Sequence, residues 1–231
     1  MAYKVLAIVQ ARVGSTRLPG KVLKKVNGKT LIEILFHRLS KTKKIDKIIL
    51  ATSKSSENDS LTKMIEKLGH DVFRGAENDV LSRYFETANK YQPKSVVRIT
   101  GDCPIIDPAI IDEVISLYEK ENADYASNTD PSTYPDGLDV EVFSFDSLKE
   151  ANKKAKTSHE REHVTPFIRR SNKFKSTNLL NDKDLSKERW TVDDPEDLLV
   201  IQNILNYFAP DLDFSWKDVL QLKKKHPDYF V

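Results

Sequence analysis

The chain has 231 residues, 39% of them hydrophobic, enough to bury one substantial core in a single domain over 1–231 without a staple. Its lone cysteine, Cys103, can form no internal disulfide, no CxxC spacing offers zinc ligands, and the first apolar run, Val5–Val9, is too short for a membrane anchor or signal peptide, so a soluble cytoplasmic protein is expected. The net charge of +2 hides an asymmetry: residues 1–54 carry thirteen Lys and Arg against only Glu33 and Asp46, while the rest of the chain is net acidic, so the first quarter favours anions.

In chain order, β-rich runs alternate with helical patterns. Strands are predicted at 3–10 (YKVLAIVQ), 46–52 (DKIILAT), 70–74 (HDVFR) and 95–100 (SVVRIT). Between them 31–41, 61–69 and 79–91 place apolar residues at helical spacing. This βαβαβαβ order predicts an α/β fold, a mostly parallel sheet with helices on both faces. A further helix is predicted over 110–123. Next come β-rich stretches at 123–128 and 137–145, then helices at 144–155, 161–171, 196–208 and 215–225. Lys41, Lys43, Lys44 and Lys47 read as a solvated basic face.

The loop QARVGSTRLPGKVL (10–23) leaves the first strand at its carboxyl end, where open α/β sheets bind ligands. Gly14 removes a Cβ from the path of an anion, and the N–H groups of Gly14, Ser15 and Thr16 are spaced to form a phosphate-sized nest. Arg12, Arg17 and Lys21 add charge. Neither GxxxxGK[ST] nor GxGxxG is present, so the loop is not a standard phosphate fingerprint. TGDCP (100–104) ends the fourth strand and brings Asp102 to the same edge. A carboxylate beside a phosphate loop suggests Mg²⁺, which takes one or two protein carboxylates and completes its shell with water and phosphate oxygens. A second carboxylate comes from RWTVDDPEDL (189–198): Asp194 before Pro195 is a helix cap, whereas Asp193 has no capping duty and is free to be a ligand.

Five blocks now resemble the cytidylyltransferases that activate acidic sugars, in the branch of the spore coat polysaccharide biosynthesis protein F. They are QARVGSTRLPGKVL, TGDCP, YPDGLDVEVFS (134–144), HEREHVTPFI (159–168) and RWTVDDPEDL, in order along nearly the whole chain. The resemblance implies a glycosyltransferase-A-like fold, CTP as donor, Mg²⁺, an acidic sugar-like acceptor and a homodimer. By position it gives the triphosphate to Arg12, Ser15, Arg17 and Lys21 and the metal to Asp102 and Asp193, with Arg12, Lys21 and Asp102 serving catalysis. It sets Thr52, Arg74, Asp79 and Arg83 around the nucleoside, although Asp79 equally reads as a helix cap and Arg83 as a surface cation.

The acceptor is expected at a β-rich segment around 123–180, which also serves dimerisation. There Asp136 sits in a turn, while Asp139 and Glu141 share one face of a strand. Arg161 is placed to clamp a carboxylate and His163 to hydrogen-bond a sugar. HEREH literally matches HExxH, but it lies inside a family block with no third zinc ligand signature, so a metalloprotease is set aside. Two other functions stay open: a glycosyltransferase using a ready-made nucleotide sugar, and a non-catalytic nucleotide-binding partner. No aromatic platform accompanies the basic loop, so nucleic acid is not the expected ligand.

Overall fold

The computed structural model describes residues 4–230. The first apolar run forms β1 (Val5–Gln10), and the basic loop leads through a two-residue-per-strand hairpin, β2 (Lys25–Val26) and β3 (Lys29–Thr30), into α1 (Leu31–Leu39). Thr30 and Glu33 close a reciprocal capping box at the start of α1, satisfying two otherwise orphaned N–H groups. The alternating half continues with β4 (Lys47–Ser53), α2 (Asp59–Lys67), β5 (Asp71–Gly75), α3 (Val80–Tyr91), β6 (Ser95–Thr100) and α4 (Pro108–Glu121). The second half supplies β7 (Tyr125–Ser127), β8 (Glu141–Ser144), α5 (Phe145–Lys154), α6 (Ser158–His163), α7 (Pro166–Arg170), β9 (Ser176–Asn178), α8 (Pro195–Phe208) and α9 (Trp216–Lys225).

Seven strands form one sheet in the order β5-β4-β1-β6-β8-β7-β9. Only β8 is reversed, pairing antiparallel with β6 and β7; the other neighbours are parallel. Alternation along β1 feeds two cores. Val5, Ala7 and Val9 pack with α1, α4 and α8 on one face, while Leu6 and Ile8 pack with α3 and α5 on the other. A strand covered on both faces has no polar side, which explains its unbroken apolar sequence.

The mixed, mostly parallel sheet flanked by helices is the architecture the sequence predicted. β1 and β6 are neighbours, so the loops leaving them open on one edge. Gly101 N–H donates to the Gln10 carbonyl at 2.8 Å, and a Cβ on Gly101 would come within 2.6 Å of the Ala11 Cβ. Only glycine lets the two loops run so close.

Two differences from the sequence reading have local causes. The single helix expected over 161–171 is two, because Pro166 has no N–H to continue α6 and instead opens α7, with Val164 at φ 69° between them. The β2–β3 hairpin and β9 are too short to show a period in the sequence. The first strand was expected from Tyr3, which lies outside the described residues. Among the described residues no helix is long and apolar enough to cross a membrane.

Candidate active site

The carboxyl edge of the sheet opens into a cleft of about 910 Å³. It brings together Arg12, Gly14, Ser15, Thr16, Arg17 and Lys21 on one wall, with Asp102 and Asp193 beside them. Asp79, Arg83, Arg161 and His163 line it as well. Thr52, Arg74, Asp136, Asp139 and Glu141 are not among its lining residues.

The loop has the backbone chemistry of an anion site. Among the described residues, the N–H groups of Gly14, Ser15, Thr16 and Arg17 donate to no protein acceptor, so four consecutive donors remain for a ligand. Gly14 does not adopt a left-handed conformation. A Cβ there would lie 3.1 Å from a Glu57 carboxylate oxygen, a contact the exposed Glu57 side chain could relieve by a small shift. Arg12 lies 3.6 Å from Glu77, and both side chains are about half exposed.

Lys21 is fully engaged. Its ammonium donates to Asp102 Oδ2 at 3.2 Å, to Asp193 Oδ1 at 3.0 Å and to the Val192 carbonyl at 2.7 Å, which uses all three of its donors. Arg17 adds an ion pair to Asp193 Oδ1 at 3.1 Å. The lysine expected to hold phosphate therefore holds, in this state, the two carboxylates expected to hold metal. Arg189 anchors the opposite side of Asp193. Its Nη2 meets Asp193 Oδ2 at 2.9 Å, its Nη1 meets Asp136 at 2.7 Å, and Nε and Nη2 grip both oxygens of Asp197. Burial pushes the Asp193 carboxyl up, but Lys21 and then Arg189 outweigh it, so the group ionises below the usual carboxylate range.

Asp102, Asp193 and the Val192 carbonyl converge on one ammonium and offer only oxygen donors, the set a hard divalent cation prefers. Among the described residues no three His, Cys, Asp or Glu side chains are grouped to hold a metal by themselves. Two carboxylates suit an ion that completes its shell with phosphate oxygens and water.

The remaining expected residues divide. Asp79 caps α3 through Ser82 N–H and also takes a bidentate ion pair from Arg161 at 2.9 and 2.6 Å. Arg161 further donates to Asn152, so its fork is spent inside the protein. Arg83 is buried rather than a surface cation: burial lowers its pKa, and it donates to the carbonyls of Ala76 and Glu77. Thr52 is wholly buried. Arg74 is turned to the carbonyls of Ser53, Lys54 and Ser55 and to Asp59.

Asp139 and Glu141 differ in surroundings despite their shared spacing. Glu141 lies below the cleft, where it accepts from Arg98 at 2.6 Å, Tyr125 at 2.7 Å and Thr165 at 2.5 Å. Asp139 is pushed up to about 7, first by burial and then by the charges of Asp136 and Glu141, with Arg98 opposing. At the HEREH segment, Glu160 is held in the capping box of α6 and paired with Arg170, which occupies the carboxylate a zinc protease would need as base.

Sequence reasoning missed Arg98, Lys156 and Arg189. Arg98 lines the cleft and had a signal, a lone cation inside the apolar strand SVVRIT. Arg189 also had one, a single cation ahead of Asp193, Asp194, Glu196 and Asp197. Lys156 lines the cleft too, but sits in a lysine-rich run that masks it.

Residues 6–202 match the family model for cytidylyltransferases. The chain is 40% identical over 208 residues to an uncharacterised protein of Methanocaldococcus jannaschii, covering 89% of this chain and 84% of that one. It is 32% identical to the spore coat polysaccharide biosynthesis protein SpsF of Bacillus subtilis, over 97% and 95% of the two chains. A solved cytidylyltransferase from Leptospira borgpetersenii superposes with a TM-score of 0.93 at 33% identity, covering 99% of this chain and 97% of that one. A CMP:2-keto-3-deoxy-manno-octonic acid synthetase solved with CTP shares the fold at a TM-score of 0.67 and 16% identity, over 88% and 99% of the chains.

Proposed function

The chain belongs to the cytidylyltransferase family and is a nucleotidyltransferase, and we propose that it transfers CMP from CTP to an acidic sugar or related acceptor, with Mg²⁺, for surface polysaccharide or glycan synthesis. The observation that carries this reading is that Gly14–Arg17, whose four N–H groups have no protein acceptor among the described residues, line one cleft with Asp102 and Asp193. The loop N–H groups and Arg12 receive the triphosphate. An acceptor hydroxyl oxygen forms a bond to the α-phosphorus, the bond from that phosphorus to the bridging oxygen breaks, and pyrophosphate leaves with the electron pair while the hydroxyl proton passes to water.

When bound, Mg²⁺ supplies charge stabilisation to the phosphate oxygens, held by Asp102 and Asp193. With a cation held there, Lys21 would exchange its carboxylate contacts for phosphate oxygens, to which its ammonium can donate. Arg189 keeps Asp193 oriented by one oxygen and leaves the other for the cation. Lys156, which lines the same cleft, gives the acceptor a cation suited to an acid, and His163 beside it offers a hydrogen-bonding ring. The family resemblance extends the reading to a cytoplasmic homodimer, which light scattering tests.

A thermal-shift panel of CTP, UTP, ATP and GTP with and without Mg²⁺ tests the donor. At one hundred times its dissociation constant a ligand adds about 2.7 kcal/mol, or roughly 5–10 °C for a domain of this size. A Mg²⁺-dependent shift with CTP, followed by pyrophosphate release that Asp102→Ala abolishes, is the expected result. A shift with a nucleotide sugar and none with CTP would overturn it.

A further inference from the structure

We infer that Asn58 is a positioning residue for the phosphate loop, setting the backbone that receives the triphosphate without touching the nucleotide. It sits at the N-cap position of α2, where an asparagine ordinarily accepts from its own helix, yet its side chain makes no such bond. The Oδ1 instead accepts the Val13 N–H at 2.8 Å, 45 residues earlier in the chain. The Nδ2 donates to Ser53 Oγ at 2.8 Å, and the same hydroxyl accepts the Ser55 N–H at 3.2 Å.

The consequence is a clamp on the loop's first turn. Val13 is held from both sides, since its carbonyl accepts the Gly20 N–H at 3.0 Å while its N–H is taken by Asn58. Among the described residues Asn58 is the one side chain bonded to the backbone of residues 11–20. It consumes the donor immediately before the four free N–H groups, so the nest starts at Gly14. The clamp is also tied to the sheet: Ser53 is the last residue of β4, and both Asn58 and Ser53 are almost wholly buried. A rigid strand end thus sets a loop that has no regular structure, and a pre-set loop loses less freedom on binding.

The inference rests on the phosphate-binding reading above. It is tested by calorimetric titration of CTP and of inorganic triphosphate, with Mg²⁺, into the whole protein and its Asn58→Leu and Asn58→Asp variants. Leucine removes the acceptor while keeping the same branching; aspartate keeps an acceptor for Val13 N–H and can accept a hydrogen bond from the Ser53 hydroxyl. Asn58→Leu is expected to weaken both ligands at least tenfold and to lower the melting temperature while keeping a cooperative transition, because the Val13 N–H and the buried Ser53 hydroxyl lose a partner. Asn58→Asp is expected to retain most of the affinity at moderate salt, although it adds a negative charge. Faster hydrogen exchange confined to residues 11–20 of the leucine variant completes the expected pattern, and Asn58→Ala serves if leucine does not fold. Wild-type affinity in the leucine variant, or a larger loss in aspartate than in leucine, would overturn the inference. Absence of binding by the wild-type protein would instead overturn the phosphate reading on which it rests.

Discussion

The loop at 11–21 and the segment at 136–165 both looked rich in ligand chemistry, yet they use their charges differently. In the loop, Arg17 is well exposed, Arg12 has one distant partner, and four N–H groups are free. In the middle segment Glu141 takes three donors and Arg161 closes on Asp79 and Asn152. A charge serves a ligand only when its present partners can be exchanged without leaving something buried and unpaired. By that criterion the loop is a receiving surface, and much of the middle segment is the frame behind it.

Lys21 is the exception inside the loop and gives the largest expected effect. Its ammonium occupies the point on which Asp102 and Asp193 converge. Lys21→Met is expected to lower turnover roughly 10²–10³-fold through the loss of a charge at the phosphates. The same variant is expected to bind Mn²⁺ more tightly in the absence of nucleotide, measured by electron paramagnetic resonance, because the competing cation is gone. Unchanged turnover together with unchanged Mn²⁺ affinity would place Lys21 on the frame with Glu141.

The next effect separates frame from surface directly. Glu141→Gln leaves Arg98 without its charge partner in a buried setting, which is expected to cost about 3 kcal/mol while CTP affinity stays within a few-fold. A melting temperature that does not move, with a raised acceptor KM, would instead return Glu141 to the acceptor site.

This contrast also explains what was legible beforehand. The sheet could be read because β1, β4 and β6 are largely buried on both faces, and burial on two sides leaves a mostly apolar signature. Asp102 and the basic loop could be read because they lie where β6 and β1 end, at the carboxyl edge where such sheets bind ligands, and Asp193 because it stands beside a helix cap without serving as one. Glu141 misled because period-two spacing reports which face a residue occupies and says nothing of who meets it there. Its partners Arg98, Tyr125 and Thr165 come from three other elements, a coincidence only folding creates. Asn58 was invisible for the same reason: a Ser-Glu-Asn turn before a helix reads as a cap, and the diversion of its side chain to Val13 depends on how two loops pass each other.

The smallest expected effect concerns Asp139, which belongs cleanly to neither region. Its neighbour in spacing, Glu141, has a cationic partner, whereas Asp139 is partly buried among Asp136, Glu141 and Asp102 and ionises at about 7. Because the folded state holds this proton more tightly than the unfolded chain, stability is lost as pH rises from about 4 to about 7 and is level above that. Asp139→Asn removes the dependence. In metal-free and nucleotide-free buffer its melting temperature is expected to exceed that of the wild-type protein by a margin that grows from about pH 5 to about 7.5. A margin that ignores pH would mean that Asp139 ionises like a solvated carboxylate and belongs with the exposed surface. A margin that follows pH would mean that near neutrality Asp139, behind the cleft, carries a carboxyl able to donate a hydrogen bond as well as accept one.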